Sequence, residues 1–125
     1  MERASTRRLG SGAEQLAFRY LRERGLKPVA RNFRTRRGEI DLIMLDGACL
    51  TFVEVRYRAR NSVADAMLTV DARKQQKLIY TASLFLSMHP CYRSHTCRFD
   101  VVGVDGDHRG EISIDWLQDA FRPSV

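Results

Sequence analysis

Apolar positions along the chain follow two periods, and the switches between them mark the elements. Ala13, Leu16, Ala17, Tyr20 and Leu21 recur at helical spacing, Ser11 with Glu14 has the form of a capping box, and Gly25 followed by Pro28 supplies a stop. A first helix beginning at Ser11 is predicted. Val29 to Arg34 has strand character and leads through the basic turn Thr35-Arg36-Arg37-Gly38 into two alternating runs, Glu39 to Leu45 and Cys49 to Tyr57. Residues 58–70 show neither period and read as a loop. Asp71 can cap a second helix reaching about His89, with Leu78, Ile79, Ala82, Phe85 and Leu86 on its buried stripe, Lys74 and Lys77 on another side, and Pro90 as its end. Cys97 to Val104 is apolar on both faces, as an inner strand must be. Gly103 to Gly110 turns the chain, Glu111 to Asp115 reads as an edge strand, and Trp116 to Phe121 as a short terminal helix with Trp116 plugging the core. The order α-β-β-β-α-β describes an α/β sandwich with a mixed sheet, because a crossover through the second helix favours a parallel neighbour for the last strand.

The two alternating runs flank Asp46-Gly47, a pair that tolerates the positive φ of tight hairpin turns. If Asp46 and Gly47 form a two-residue loop, Glu39 faces Glu54, Asp41 faces Phe52 and Arg37 faces Arg56. Alternation then gathers Glu39, Asp41, Glu54 and Arg56 on one face, beside Ile43, Leu50 and Phe52. A four-residue loop keeps this grouping and a three-residue loop breaks it. The other face reads Ile40, Leu42, Met44, Thr51, Val53, Val55 and Tyr57, so both sides of the hairpin are expected to be covered. Carboxylates packed together there repel one another and lose hydration, at a cost of several kcal/mol per unpaired ion. A divalent cation would offset that cost. Pairing with arginines on a solvated sheet edge is the alternative.

Composition narrows the setting. A chain of 125 residues with 44% hydrophobic content fits one domain with a single core, here 11–125, preceded by a flexible basic arm at 1–10. The net charge of +6 is unevenly placed: residues 1–60 hold 14 Lys and Arg against 7 Asp and Glu, and residues 61–125 hold 7 against 8. The basic half is therefore the half with the acidic cluster. Its cations are nearly all arginine, whose planar fork suits phosphate, so a polyanionic partner such as nucleic acid is expected, with Arg34, Arg36, Arg37, Arg58 and Arg60 as contacts. No apolar run approaches the length of a membrane span, and MERASTRRLG lacks the apolar segment of a signal peptide, so a cytoplasmic protein is expected. Three cysteines without paired spacing fit reduced thiols. His89, Cys91, His95 and Cys97 match no common zinc spacing; Cys97 reads as a small core residue and His89 as a charge at a helix C-terminus.

An acidic residue followed, on a neighbouring strand, by Glu-x-basic resembles the PD-(D/E)XK nuclease signature, here Asp41, Glu54 and Arg56. A longer series, GAEQLA (12–17), GEIDLI (38–43), FVEVRYR (52–58), KQQKL (74–78) and CRFDVV (97–102), resembles the YraN-like family of bacterial proteins over roughly residues 12–121. That resemblance implies a restriction-endonuclease-like three-layer sandwich, related also to Holliday-junction resolvases. It implies hydrolysis of phosphodiester bonds in DNA, with Asp41, Glu54 and a backbone carbonyl near Val55 holding Mg²⁺ or Mn²⁺. Glu14 matches the acidic residue of the first helix, Lys74 and Lys77 match basic positions of the following helix, and Glu39 falls behind the metal ligands. Resolvase-like folds often act as dimers, which makes a homodimer an implied arrangement. Arg56 departs from the usual lysine: arginine stays protonated and can position phosphate or stabilise charge, but not transfer a proton. Two further readings stand beside the nuclease, a non-catalytic nucleic-acid-binding module on the same fold and a protein that binds another acidic partner.

Overall fold

The computed structural model describes residues 2–59, 69–106 and 109–123, with side chains from residue 12 onward and, in the first segment, as far as residue 57. In chain order the elements are α1 (Glu2–Glu23), β1 (Lys27–Arg34), β2 (Glu39–Asp46), β3 (Cys49–Ala59), α2 (Ala72–Met88), a 3₁₀ turn (Pro90–Tyr92), β4 (Thr96–Gly106) and β5 (Ile112–Phe121). The five strands lie in one sheet in the order β1-β2-β3-β4-β5. Every neighbouring pair is antiparallel except β3 and β4, which the α2 crossover makes parallel. The helices cover opposite faces, giving the restriction-endonuclease-like three-layer α/β fold. Among the described residues no helix is long and apolar enough to cross a membrane.

Each face has its own core. Ala13, Ala17 and Leu21 of α1 pack on Leu42, Met44, Val53, Val102 and Val104. Leu78, Ala82 and Phe85 of α2 pack on Ile43, Leu50, Phe52, Phe99 and Val101. Phe85 centres the second cluster, edge-on to Phe33 with ring centroids 5.3 Å apart and stacked on His89 at 4.1 Å. Asp71 caps α2 as its spacing predicts, its Oδ1 accepting the Lys74 N–H at 2.8 Å.

Four expectations change. Helix α1 starts at Glu2, not Ser11, because the stretch expected as an arm is rich in good helix formers, Glu2, Arg3, Ala4, Arg7, Arg8 and Leu9. Ser11 lies inside the helix, so Glu14 is not needed to close a cap. The hairpin loop is Gly47-Ala48, with Asp46 paired to Cys49, since Gly47 takes the positive φ of 60°. Facing pairs shift by two positions, which preserves the shared face. Ile40 packs in the α2-side cluster instead of beside Leu42, where its partner is Phe33.

The fourth change is at the C-terminus, where Trp116 to Phe121 continues β5 as strand. Asp100, 1% exposed, explains it. Its carboxylate accepts from Arg98 Nε at 2.9 Å and Nη2 at 3.0 Å, from Trp116 Nε1 at 2.9 Å and from the Asp119 N–H at 2.9 Å. The β4–β5 ladder changes register opposite Asp100, and Asp119 adopts φ 54° there. These bonds hold the bulged strand against the sheet. Trp116 is half-buried against the α1-side core, its ring edge-on to Tyr20 at 6.4 Å.

Phe85→Ala should destabilise the protein by about 3–5 kcal/mol in denaturant unfolding, the scale for truncating a buried aromatic. A loss under about 1 kcal/mol would show that the α2-side core is not built around this ring.

Candidate functional site

Asp41 and Glu54 meet where the β2–β3 ladder gives out. Backbone pairing between these strands ends at Leu42 and Val53, and the next free N–H on β3, that of Val55, donates at 2.8 Å to Asp41 Oδ2. On the other flank the β1–β2 ladder passes over Asp41 as well, since its nominal partner Asn32 takes a left-handed φ of 54°. A side chain thus replaces a stretch of sheet bonding. Both carboxylates are 8% exposed.

They form the floor of a cleft of about 540 Å³ lined also by Arg34, Thr35, Arg36, Arg37, Gly38, Glu39, Val55, Lys74 and Lys77. Its upper wall is the β1–β2 turn. Thr35 Oγ1 accepts the N–H groups of Arg37 and Gly38, each at 3.2 Å, and lies 3.4 Å from Thr81 Oγ1 of α2. Gly38 lets the turn sit this close: a Cβ there would fall 3.2 Å from Thr81 Oγ1. Arg37 lies over the Tyr80 ring at 4.6 Å. The arginines of the turn are therefore mounted on a fixed loop, which reduces the entropy lost when they take a ligand.

The electrostatics are strained in one direction. Burial, then the charge of Glu54, pushes Asp41 from 3.8 up to about 8, with Glu14 and Glu39 adding to the rise and the Val55 N–H opposing it. Burial, then Glu39, also raises Glu14, while Arg31, a hydrogen bond from Asn32 and Arg34 pull it back. Around this acidic centre Arg34 Nε pairs with Glu39 Oε2 at 2.6 Å, Lys74 Nζ lies 3.3 Å from Glu54 Oε2, and Arg56 Nε lies 3.9 Å from the same atom.

Glu39, Asp41 and Glu54 are brought together at one cleft, with Arg56 beside Glu54 and Glu14 within electrostatic reach from α1, although alternation along β2 breaks at Ile40 and so does not itself place Glu39 on the face of the others. Arg56 does not line the cleft, whereas Lys74 and Lys77 do. Arg58 lies on β3 with its side chain outside the described residues, and Arg60 is outside them altogether. Among the described residues no three Asp, Glu, His or Cys side chains converge on one point, so Asp41 and Glu54 are the donor pair available to a hard cation. His89, Cys91, His95 and Cys97 do not gather, and Cys97 is exposed near the start of β4 instead of buried in the core. His89 ends α2, with Nδ1 2.9 Å from the Phe85 carbonyl. Sequence reading missed Asn32, Thr35 and Thr81; an asparagine inside an apolar strand pattern was the one available signal for the first.

Metal-free protein should lose stability with rising pH. The folded chain holds the Asp41 proton to about pH 8 and the unfolded chain releases it near 3.8, so the contribution is full below about pH 4 and gone above about 8. Thermal melts in chelator from pH 5 to 8.5 should show the decline, and Asp41→Asn should flatten it and melt higher at the alkaline end. Parallel curves for the two proteins would contradict the buried-pair account.

Comparison with known proteins assigns the chain to a family. The uncharacterised protein family UPF0102 matches residues 13–104. A UPF0102 protein of Pseudomonas putida (strain GB-1) is 46% identical over 121 residues, covering 97% of this chain and 98% of the relative. One from Pseudomonas aeruginosa (strain LESB58) is 46% identical, covering 96% and 97%, and one from Pseudomonas syringae pv. syringae (strain B728a) is 40% identical, covering 97% and 98%. The chain belongs to the UPF0102 family, the YraN-like family that its motifs resemble.

Proposed function

We propose that the chain is a metal-dependent endonuclease that hydrolyses phosphodiester bonds of nucleic acid in the cytoplasm, with DNA favoured by the relation to restriction endonucleases. The observation that carries this reading is a pair of buried carboxylates, Asp41 and Glu54, in the floor of a cleft whose walls are cationic. Plain phosphate binding has no use for these acids, which repel the ligand that the walls attract. The donor set suits Mg²⁺ or Mn²⁺: two carboxylates, with Val55 beside them to offer a backbone carbonyl, are hard oxygen ligands. Such an ion, when bound, activates a water and neutralises charge on the phosphoryl oxygens.

The chain's own groups divide the remaining work. Arg34, Arg36, Arg37 and Lys77 take phosphates on either side of the scissile bond from the walls. Arg56 supplies a permanent positive charge beside Glu54 and moves no proton. Glu39, held by Arg34, and Glu14, on α1, orient ligands or water from behind the pair. A second reading, a binding module without catalysis, is favoured by Arg56 itself, which stands where the superfamily usually has lysine and lies off the cleft lining.

Wild type should cleave at least one of a panel of linear, branched and single-stranded DNA and RNA substrates in Mn²⁺. Asp41→Asn should abolish this, Arg56→Lys should retain measurable cleavage, and Arg56→Ala should lower the rate by removing the charge beside Glu54. Tight binding without cleavage in any metal would support the binding module instead. In either reading Arg36→Ala should reduce the slope of log affinity against log salt by about 0.9, the value for one phosphate contact. Salt-independent binding would exclude both.

A further inference from the structure

The first turn of α2, Ala72-Arg73-Lys74, carries two cations and no acid. The helix dipole disfavours positive charge at an N-terminus, a cost that the Asp71 carboxylate at the cap offsets in part and a gain elsewhere completes. Lys74 shows the gain. The Asp71 cap fixes its backbone N–H at 2.8 Å, and its ammonium lies 3.3 Å from Glu54 Oε2, closer than the 3.9 Å of Arg56 Nε. The two ends of the pair differ in freedom: the Glu54 side chain is 9% exposed and the Lys74 side chain 45%. Glu54 is locked in the cleft floor while Lys74 reaches in from the wall on a flexible stem.

We propose that Lys74 is the resident counter-ion of Glu54, displaced when a divalent cation binds Asp41 and Glu54, and that the released ammonium then moves onto the phosphate drawn to that cation. A dication on Glu54 puts like charge where the ammonium sits, so the two cannot share the carboxylate at full strength. The consequence is coupling. Lys74 is a phosphate contact only in the metal-bound protein, which makes metal and nucleic acid each promote the binding of the other. Arg56 is not suited to this exchange, since it lies off the cleft lining and its guanidinium is farther from the carboxylate. The proposal rests on the cation-binding part of the proposed function and leaves open whether hydrolysis follows.

The test is titration calorimetry with Mn²⁺ alone, on wild type, Lys74→Met, Lys74→Gln and Lys77→Met, with melting curves to confirm folding. Removing the competing ammonium should tighten Mn²⁺ binding roughly two- to fivefold in both Lys74 variants, the worth of a part-exposed ion pair. Lys77→Met removes an equal charge from the same wall and should tighten it less. A second readout uses a short double-stranded DNA: Lys74→Met should lower the log–log salt slope by about 0.9 in Mn²⁺ and leave it unchanged in chelator. Equal tightening in the Lys74 and Lys77 variants, unchanged Mn²⁺ affinity in the Lys74 variants, or an equal slope change with and without Mn²⁺ would overturn the exchange while leaving the metal site standing. Wild type that binds no Mn²⁺ would remove both the exchange and the cation.

Discussion

Two carboxyl groups buried side by side, each making it costly for the other to ionise, are the constraint on which this structure turns. Asp41 and Glu54 are each 8% exposed, and water that would screen their repulsion is largely excluded. The sheet yields to accommodate them. The β2–β3 ladder stops one residue short of the pair, Val55 gives its N–H to Asp41 instead of to a strand partner, and Asn32 leaves extended geometry across from Asp41. These departures from regular pairing are gathered at one end of an otherwise regular sheet, around the two buried acids.

Asp100 shows what a carboxylate buried for stability looks like in the same chain. A guanidinium, an indole and a backbone N–H all converge on it, and the result fastens β5 to β4. Asp41 is surrounded differently, with Glu54, Glu14 and Glu39 all raising its proton affinity. Both acids are buried in one sheet, yet one is matched by cations and donors and the other lies among further acids that favour its protonated form. The cleft completes the contrast, since the arginines of the β1–β2 turn and the lysines of α2 line it around those acids.

Much of this was legible in the residues. Alternation along Cys49 to Tyr57 was enough to put Glu54 and Arg56 on one face, and the shift of the turn by two residues, the period of a strand, kept their facing relation to β2, although alternation in β2 breaks at Ile40. The second helix was legible from Asp71 and its apolar stripe. What could not be read depends on contacts distant in sequence. Trp116 to Phe121 is strand because Asp100, far earlier in the chain, holds its backbone; local pattern alone suggested a helix. The nearness of Lys74 to Glu54 likewise arises from the crossover, which no spacing within α2 reveals.

The proposed function requires Asp41 and Glu54 to hold one divalent cation jointly. Its most direct test is Mn²⁺ titration of wild type against Asp41→Asn and Glu54→Gln, each first shown to melt cooperatively. One site per chain in wild type, lost in both variants, is the predicted result. Binding that persists undiminished in either variant would contradict the account.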